Sequence, residues 1–326
     1  MSERRIAFVE AIREAMAEEM ERDSRIVILG EDIGVYGGVF TATKTLLERF
    51  GAERVRDTPI SEAAMAGIAI GMAMQGMRPI VEFMYADFTT IAMDQIVNNA
   101  AKLRYMTGGK ASVPLVVRTQ GGSGRGNGSQ HSQSLETWFA HVPGLIVVTP
   151  STPADAKGLL ISAIRNENPV IFIEHKMLYF TTGVVRDGTD YQLGKAEIKR
   201  LGDDVTVVAT SWMIPRVMRI AEELASEGIS AEIVDPLTLR PLDENTIVSS
   251  VCKTGRLVVV HEAVRYCGFG AEIAAAVQEK AFKKLKAPVK RIAGKEAPIP
   301  YSANLERSAI PDEVEIKNAI RDIVQM

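Results

Sequence analysis

Short, almost continuously apolar runs recur along the chain: "RIVILG" from residue 25, "RPIVEFM" from 78, "VPLVVRT" from 113, "PVIFIEH" from 169, "VTVVATS" from 205, "SAEIVDP" from 230 and "RLVVVHE" from 256. Each is short for a helix and lacks the strict alternation of a half-solvated strand, so it reads as a strand covered on both faces. Helical spacing appears between the runs, as in Ile6, Val9, Ile12, Met16 and Met20. Strands alternating with helices predict an α/β fold built on largely parallel sheets.

A chain of 326 residues is long for one core, which predicts two domains. The polar, glycine-containing stretch 181–204 interrupts the strand–helix rhythm. It places a first domain at 1–185, a linker at 186–204 and a second domain at 205–326. No repeat of 20 to 50 residues is evident, which excludes solenoids and propellers. A net charge of -3 offers no electrostatic case for nucleic acid or an anionic membrane. The most apolar stretch, "AAMAGIAIGMAMQGM", falls short of the ~20 residues a bilayer requires and predicts a buried core helix. The amino terminus lacks the zones of a signal peptide, and Cys252 and Cys267 form no CxxC pattern. A cytoplasmic protein without a disulfide framework is expected.

Glu62 stands at the start of that apolar helix, after Ser61, a good N-cap residue. Gly67 and Gly71 inside it each cost about 1 kcal/mol against alanine, which suggests something pressed against the helix. Two readings of Glu62 follow. It complements the helix dipole, or it is a desolvated proton partner for a ligand at a strand's carboxyl end.

The stretch "RTQGGSGRGNGSQHSQS", 118–134, is too glycine-rich for a regular element, yet apolar runs flank it closely. Long loops inside domains are usually functional. In it, His131 could exchange protons near neutral pH and Arg125 could hold an anion. No G-x-G-x-x-G frame and no Walker spacing fits these glycines. His141, His175 and His261 adjoin apolar runs without metal spacing and read as structural.

Taken together, "GEDIGVYGGVF", "RVRDTPISEAAMAGIAIGMAMQGMRPIVEFM", "DQIVNNAAKLRYMTGG", "QHSQSLETWFAHVPGLIVVTPSTPADAKGLL", "NPVIFIEHKMLY", "VDPLTLRPLD" and "PIPYSANLE" strongly resemble the β subunits of the thiamine-diphosphate-dependent first component of 2-oxo acid and acetoin dehydrogenases. The resemblance spans nearly the whole chain. It implies a pyrimidine-binding α/β domain followed by a transketolase C-terminal-like α/β domain.

By position, Glu62 matches the glutamate that hydrogen-bonds the cofactor's aminopyrimidine and so promotes loss of the thiazolium proton. Ile60, Met84 and Phe88 match residues packing on the pyrimidine, and Glu31 matches an acid near the channel between paired active sites. His131 matches a loop histidine near thiazolium and substrate. Leu115, Ala163, Ile164, Asn166 and Asn168 match carbonyl ligands of a monovalent cation, K+, although Asn166 replaces an acid found in some relatives. The chain has no GDG segment to hold the diphosphate and its Mg2+. The resemblance therefore implies an α subunit that supplies them, in a heterotetramer of two α and two β subunits serving a lipoyl-bearing acyltransferase core. The segment 118–145 looks most like acetoin dehydrogenase β subunits, with branched-chain and pyruvate enzymes next. A noncatalytic scaffold docking the lipoyl core and a self-contained transketolase-like synthase are the competing readings. The first has no need of Glu62 and His131, and the second lacks its diphosphate motif.

Overall fold

The computed structural model describes residues 3–186, 188 and 191–326; positions 187, 189 and 190 of the expected linker lie outside them. The chain divides into two compact units, 1–121 with 138–193, and 122–137 with 194–326.

In the first unit six parallel strands run in the order Ile146–Val148, Val170–His175, Val116–Gly121, Arg78–Phe83, Ile26–Gly30, Val55–Asp57. Every residue of the four central strands is buried, as continuous apolar runs require. Helices Phe8–Arg22 and Pro153–Arg165 pack on one another, and helix Glu62–Met74 packs on strand Arg78–Phe83. The amino terminus departs from the helical reading at its first residues. Glu3–Ala7 is a strand, paired antiparallel with Thr182–Arg186, and the helix begins only at Phe8.

Helix Glu62–Met74 is not the fully buried core helix expected from its composition. It buries Glu62, Met65, Ala66, Ala69, Ile70 and Ala73, while Ala63, Ala64, Ile68, Gly71 and Met74 face outward. A methyl group built on Gly71 meets nothing within 4 Å, so among the described residues nothing presses on the helix there. Residues 86–106 hold three short helical pieces, a one-turn helix Ala86–Thr90, a π-helix Gln95–Ala100 and an α-helix Ala101–Met106.

In the second unit four parallel strands, Lys290–Gly294, Leu257–Val264, Val205–Ala209 and Ala231–Asp235, are flanked by the antiparallel strand Glu197–Arg200. Part of the stretch expected as linker is thus a sheet edge. Helix Met213–Ala225 buries Met213, Ile214, Val217, Ile220, Ala221 and Leu224, the stripe that a 3.6-residue period places on one side. Ile316, Ile320 and Ile323 of helix Glu313–Val324 complete that core with Val205, Val207 and Val258. Burying each such side chain contributes about 1.5–3 kcal/mol. Asp243 and Asp312 cap helices Glu244–Thr254 and Glu313–Val324 by accepting the N–H of Thr246 and Glu315. The glycine loop 122–137, read from sequence as part of the first domain, belongs to this second unit.

Candidate functional site

The strand order of the first unit reverses after Val55–Asp57. The chain passes from Ile26–Gly30 outward to Val55–Asp57, then crosses to the other side of the first strand with Arg78–Phe83 and continues to Val116–Gly121. Such a reversal opens a crevice beyond the strands' carboxyl ends, where ligands of open α/β sheets bind. Glu31 follows Gly30 at that edge, Ile60 lies three residues past Asp57, Met84 follows Phe83, and Phe88 sits in the one-turn helix Ala86–Thr90. Met84 and Phe88 are half-buried, and Ile60 is 80% exposed.

Glu62 is the first residue of its helix and is 5% exposed. The positive end of the helix dipole favours its carboxylate. Ser61 holds the N-cap position but does not cap: its ψ of 62° is far from the extended backbone of a capping serine, and its Oγ donates to the Pro59 carbonyl at 3.1 Å.

Glu31 is 8% exposed. Burial, followed by the charges of Glu62, Asp32 and Glu82, holds its carboxyl above the ordinary range. Its Oε1 is buried and accepts no hydrogen bond among the described residues. A buried acceptor left unpaired is costly, so this edge is short of a donor. A group that brings an N–H or a positive charge would satisfy it.

The turn after Glu31 is fixed from the neighbouring strand. Gly34 N–H donates to Asp57 Oδ1 at 2.7 Å, Thr43 Oγ1 donates to the Ile33 carbonyl at 2.7 Å, and Thr58 N–H donates to the Gly30 carbonyl at 2.9 Å. A Cβ on Gly34 would lie 2.5 Å from Asp57 Oδ2, so a larger residue there would displace the Asp57 carboxylate from this bond.

Glu82, Arg118 and Glu174 lie buried on three adjacent central strands. Arg118 donates to Glu82 Oε2 at 2.7 Å and to both oxygens of Glu174 at 2.7 and 2.9 Å, and Tyr179 Oη donates to Glu174 Oε2. Burial alone would lower the Arg118 pKa, but Glu174 and Glu82 outweigh it and hold the guanidinium charged. Gln120 donates to the other oxygen of Glu82 at 3.1 Å. Glu82 is thereby fully paired two residues before Met84. The sequence reading missed this network, and it missed Asp57 as the acceptor for Gly34. The network's signal was a charged residue in the interior of each apolar run: Glu82 in "RPIVEFM", Arg118 in "VPLVVRT" and Glu174 in "PVIFIEH".

The residues matched to a cation lie at the opposite, amino-terminal edge: Leu115 before strand Val116–Gly121, and Asn166 and Asn168 before Val170–His175. Their carbonyls are largely engaged. Leu115 O accepts Val170 N–H at 2.8 Å, and Ala163 O accepts Asn166 N–H at 3.2 Å. The buried Arg78 donates to Ile164 O at 2.9 Å and Asn166 O at 2.6 Å, and its other nitrogen meets Glu167 at 2.7 Å. Arg104 donates to the Asn168 side chain. Arg78 already supplies positive charge at this turn, so the set fits a monovalent cation poorly and no role is assigned to one. Among the described residues no three His, Cys, Asp or Glu side chains converge as a metal site.

His131 is half-buried in the loop of the second unit, its N–H donating to the Gly128 carbonyl at 3.4 Å. Near the end of the same segment, Glu136 is buried, and burial with the Glu262 charge pushes its carboxyl up to about 7. Of the histidines read as structural, His175 and His261 are buried; burial pushes His261 down to about 4. His141 is exposed and packs in no core.

Residues 4–181 match the transketolase pyrimidine-binding domain, and residues 194–316 match the transketolase C-terminal domain. The chain is 46% identical over 317 residues to a mitochondrial pyruvate dehydrogenase E1 component subunit beta-2 of Oryza sativa, covering 96% of this chain and 84% of that one. It is 45% identical to the 2-oxoisovalerate dehydrogenase subunit beta of Bacillus subtilis, covering 98% and 99%. A solved split-gene transketolase, described as an inactive beta4 tetramer, shares the fold at a TM-score of 0.82 and 21% identity over 98% of both chains. With two transketolase domains in order and near-full-length identity to such subunits, the chain belongs to the family of E1 β subunits of 2-oxo acid dehydrogenases.

Proposed function

We propose that the chain works with an α subunit, as two α and two β, to cleave the bond next to a substrate carbonyl and pass the acyl fragment to a lipoyl carrier. The observation that carries this reading is the buried Glu62 at the strand-order reversal, charge-coupled to a Glu31 whose Oε1 lacks a donor. Such a pair fits an electron-poor, N–H-bearing heterocycle. Thiamine diphosphate, when bound, supplies the carbon nucleophile that attacks the carbonyl. Glu62 would hold a proton at the pyrimidine ring nitrogen, Glu31 would raise the local demand for positive charge, and Ile60, Met84 and Phe88 would exclude water from the ring. His131 would orient substrate or move a proton during transfer to lipoyl sulfur. Without a GDG segment in this chain, the diphosphate and Mg2+ fall to the α subunit.

A 2-oxo acid is the substrate class supported by relatives named for pyruvate and 2-oxoisovalerate. Acetoin rests on the likeness of segment 118–145 alone. Among the described residues no helix is long and apolar enough to cross a membrane, and a cytoplasmic location remains part of this reading.

Glu62→Gln in the reconstituted complex should lower kcat by about two to four orders of magnitude with unchanged circular dichroism. Hydrogen–deuterium exchange at the thiazolium carbon should slow in parallel; exchange at the wild-type rate would falsify the role. Turnover on pyruvate, branched-chain 2-oxo acids and acetoin with the same preparation separates the substrates.

A further inference from the structure

Four glycines of the loop, Gly122, Gly124, Gly126 and Gly128, take left-handed backbone with φ between 66° and 102°. A segment of this composition has many conformations to lose, so its order must come from outside partners. Those partners lie in the same unit. Ser123 N–H donates to Glu262 Oε1 at 2.6 Å; Gly124 and Gly126 N–H donate to the two oxygens of Glu306 at 2.8 and 3.0 Å. Glu306 is 3% exposed, on helix Ala303–Ala309. The same carboxyl-terminal segment meets the loop twice more. Ser129 Oγ donates to the Ile299 carbonyl at 2.9 Å, and a Cβ on Gly128 would lie 2.3 Å from Tyr301 Cζ. Gly122 N–H closes the loop's base on the Gln133 carbonyl at 3.1 Å.

We propose that Glu306, supported by Glu262, is a positioning residue: its carboxylate binds two loop amides, on either side of Arg125, and thereby holds His131 in one place. The inference rests on the reading that gives His131 a part in substrate handling. Hydrogen bonds from backbone amides to a carboxylate are among the strong ones, and a row of N–H groups in a glycine turn forms an anion-binding concavity. Here the chain fills that concavity with its own carboxylates. A glutamine at 306 keeps the shape but offers one acceptor oxygen where two amides need one each.

The loop contains its own reporter, because Arg125 is exposed between the two amides that Glu306 binds. Trypsin cuts after Arg125 only when several residues around it open, so the cleavage rate follows the open population. In the assembled α–β complex, Glu306→Gln should raise cleavage after Arg125 by about tenfold and Glu306→Ala by more, with cleavage after Arg104 unchanged. Glu306→Gln should also lower kcat, expressed per folded complex, by about tenfold while KM shifts little, with circular dichroism and melting temperature unchanged so that loss of folded enzyme does not account for it. Wild-type cleavage after Arg125 in the isosteric Glu306→Gln variant overturns the proposal, as does equal acceleration at Arg104. His131→Ala isolates the underlying reading. It should lose activity with the loop still protected; if it keeps full activity while Glu306→Gln opens the loop, the clasp stands and the role of His131 falls.

Discussion

Glu62 and Glu31 show how much one residue's environment decides. By sequence Glu62 fitted a dipole complement as well as a proton partner; burial beside a second acid with an unpaired oxygen favours the partner. Glu136 carries a different consequence. Its carboxyl is raised from 4.5 to about 7, by burial first and the Glu262 charge after it. Between those values the unfolded chain has lost the proton that the folded chain keeps, so stability falls as pH rises through this window. The full effect is at most about 3 kcal/mol. Glu136→Gln removes the group. Melting temperatures of the two proteins from pH 5 to pH 8 should converge or cross as pH rises, the variant gaining on wild type; a constant difference sinks the assignment.

At the scale of elements, the three central strands are joined by side chains as well as by their ladder. Glu82 and Arg118 are paired in register on adjacent strands, and Glu174 reaches Arg118 from the next. Replacing Arg118 by methionine leaves two buried carboxylates without their counter-charge and should cost about 3–5 kcal/mol in urea unfolding. A loss below about 1 kcal/mol would mean the network is incidental to stability. The strands themselves were legible, because continuous apolar runs say that both faces are covered. Which charged residue met which was not, since that depends on strand order. The helix Glu62–Met74 misled for a related reason: its composition is apolar all round, while only one face meets this chain.

At the scale of the whole molecule, two units each with a sheet and core carry different parts of the proposed chemistry: Glu31 and Glu62 in one, His131 in the other. With no GDG segment in either, the proposed function predicts that the isolated chain binds thiamine diphosphate no tighter than about 1 mM by calorimetry, and tightly only after an α subunit is added. Micromolar binding by the chain alone would contradict the divided site.

The two-domain α/β architecture, the strand positions and the family were set by local pattern and motif, which need no distant contacts. The membership of the 122–137 loop was decided only in three dimensions. Its neighbours in sequence are strands of the first unit, while Glu262 and Glu306, which bind its amides, lie more than a hundred residues downstream. Nothing in a glycine-rich stretch says which carboxylate it will meet. Sequence can mark a segment as unable to order itself, and only tertiary packing supplies the groups that order it.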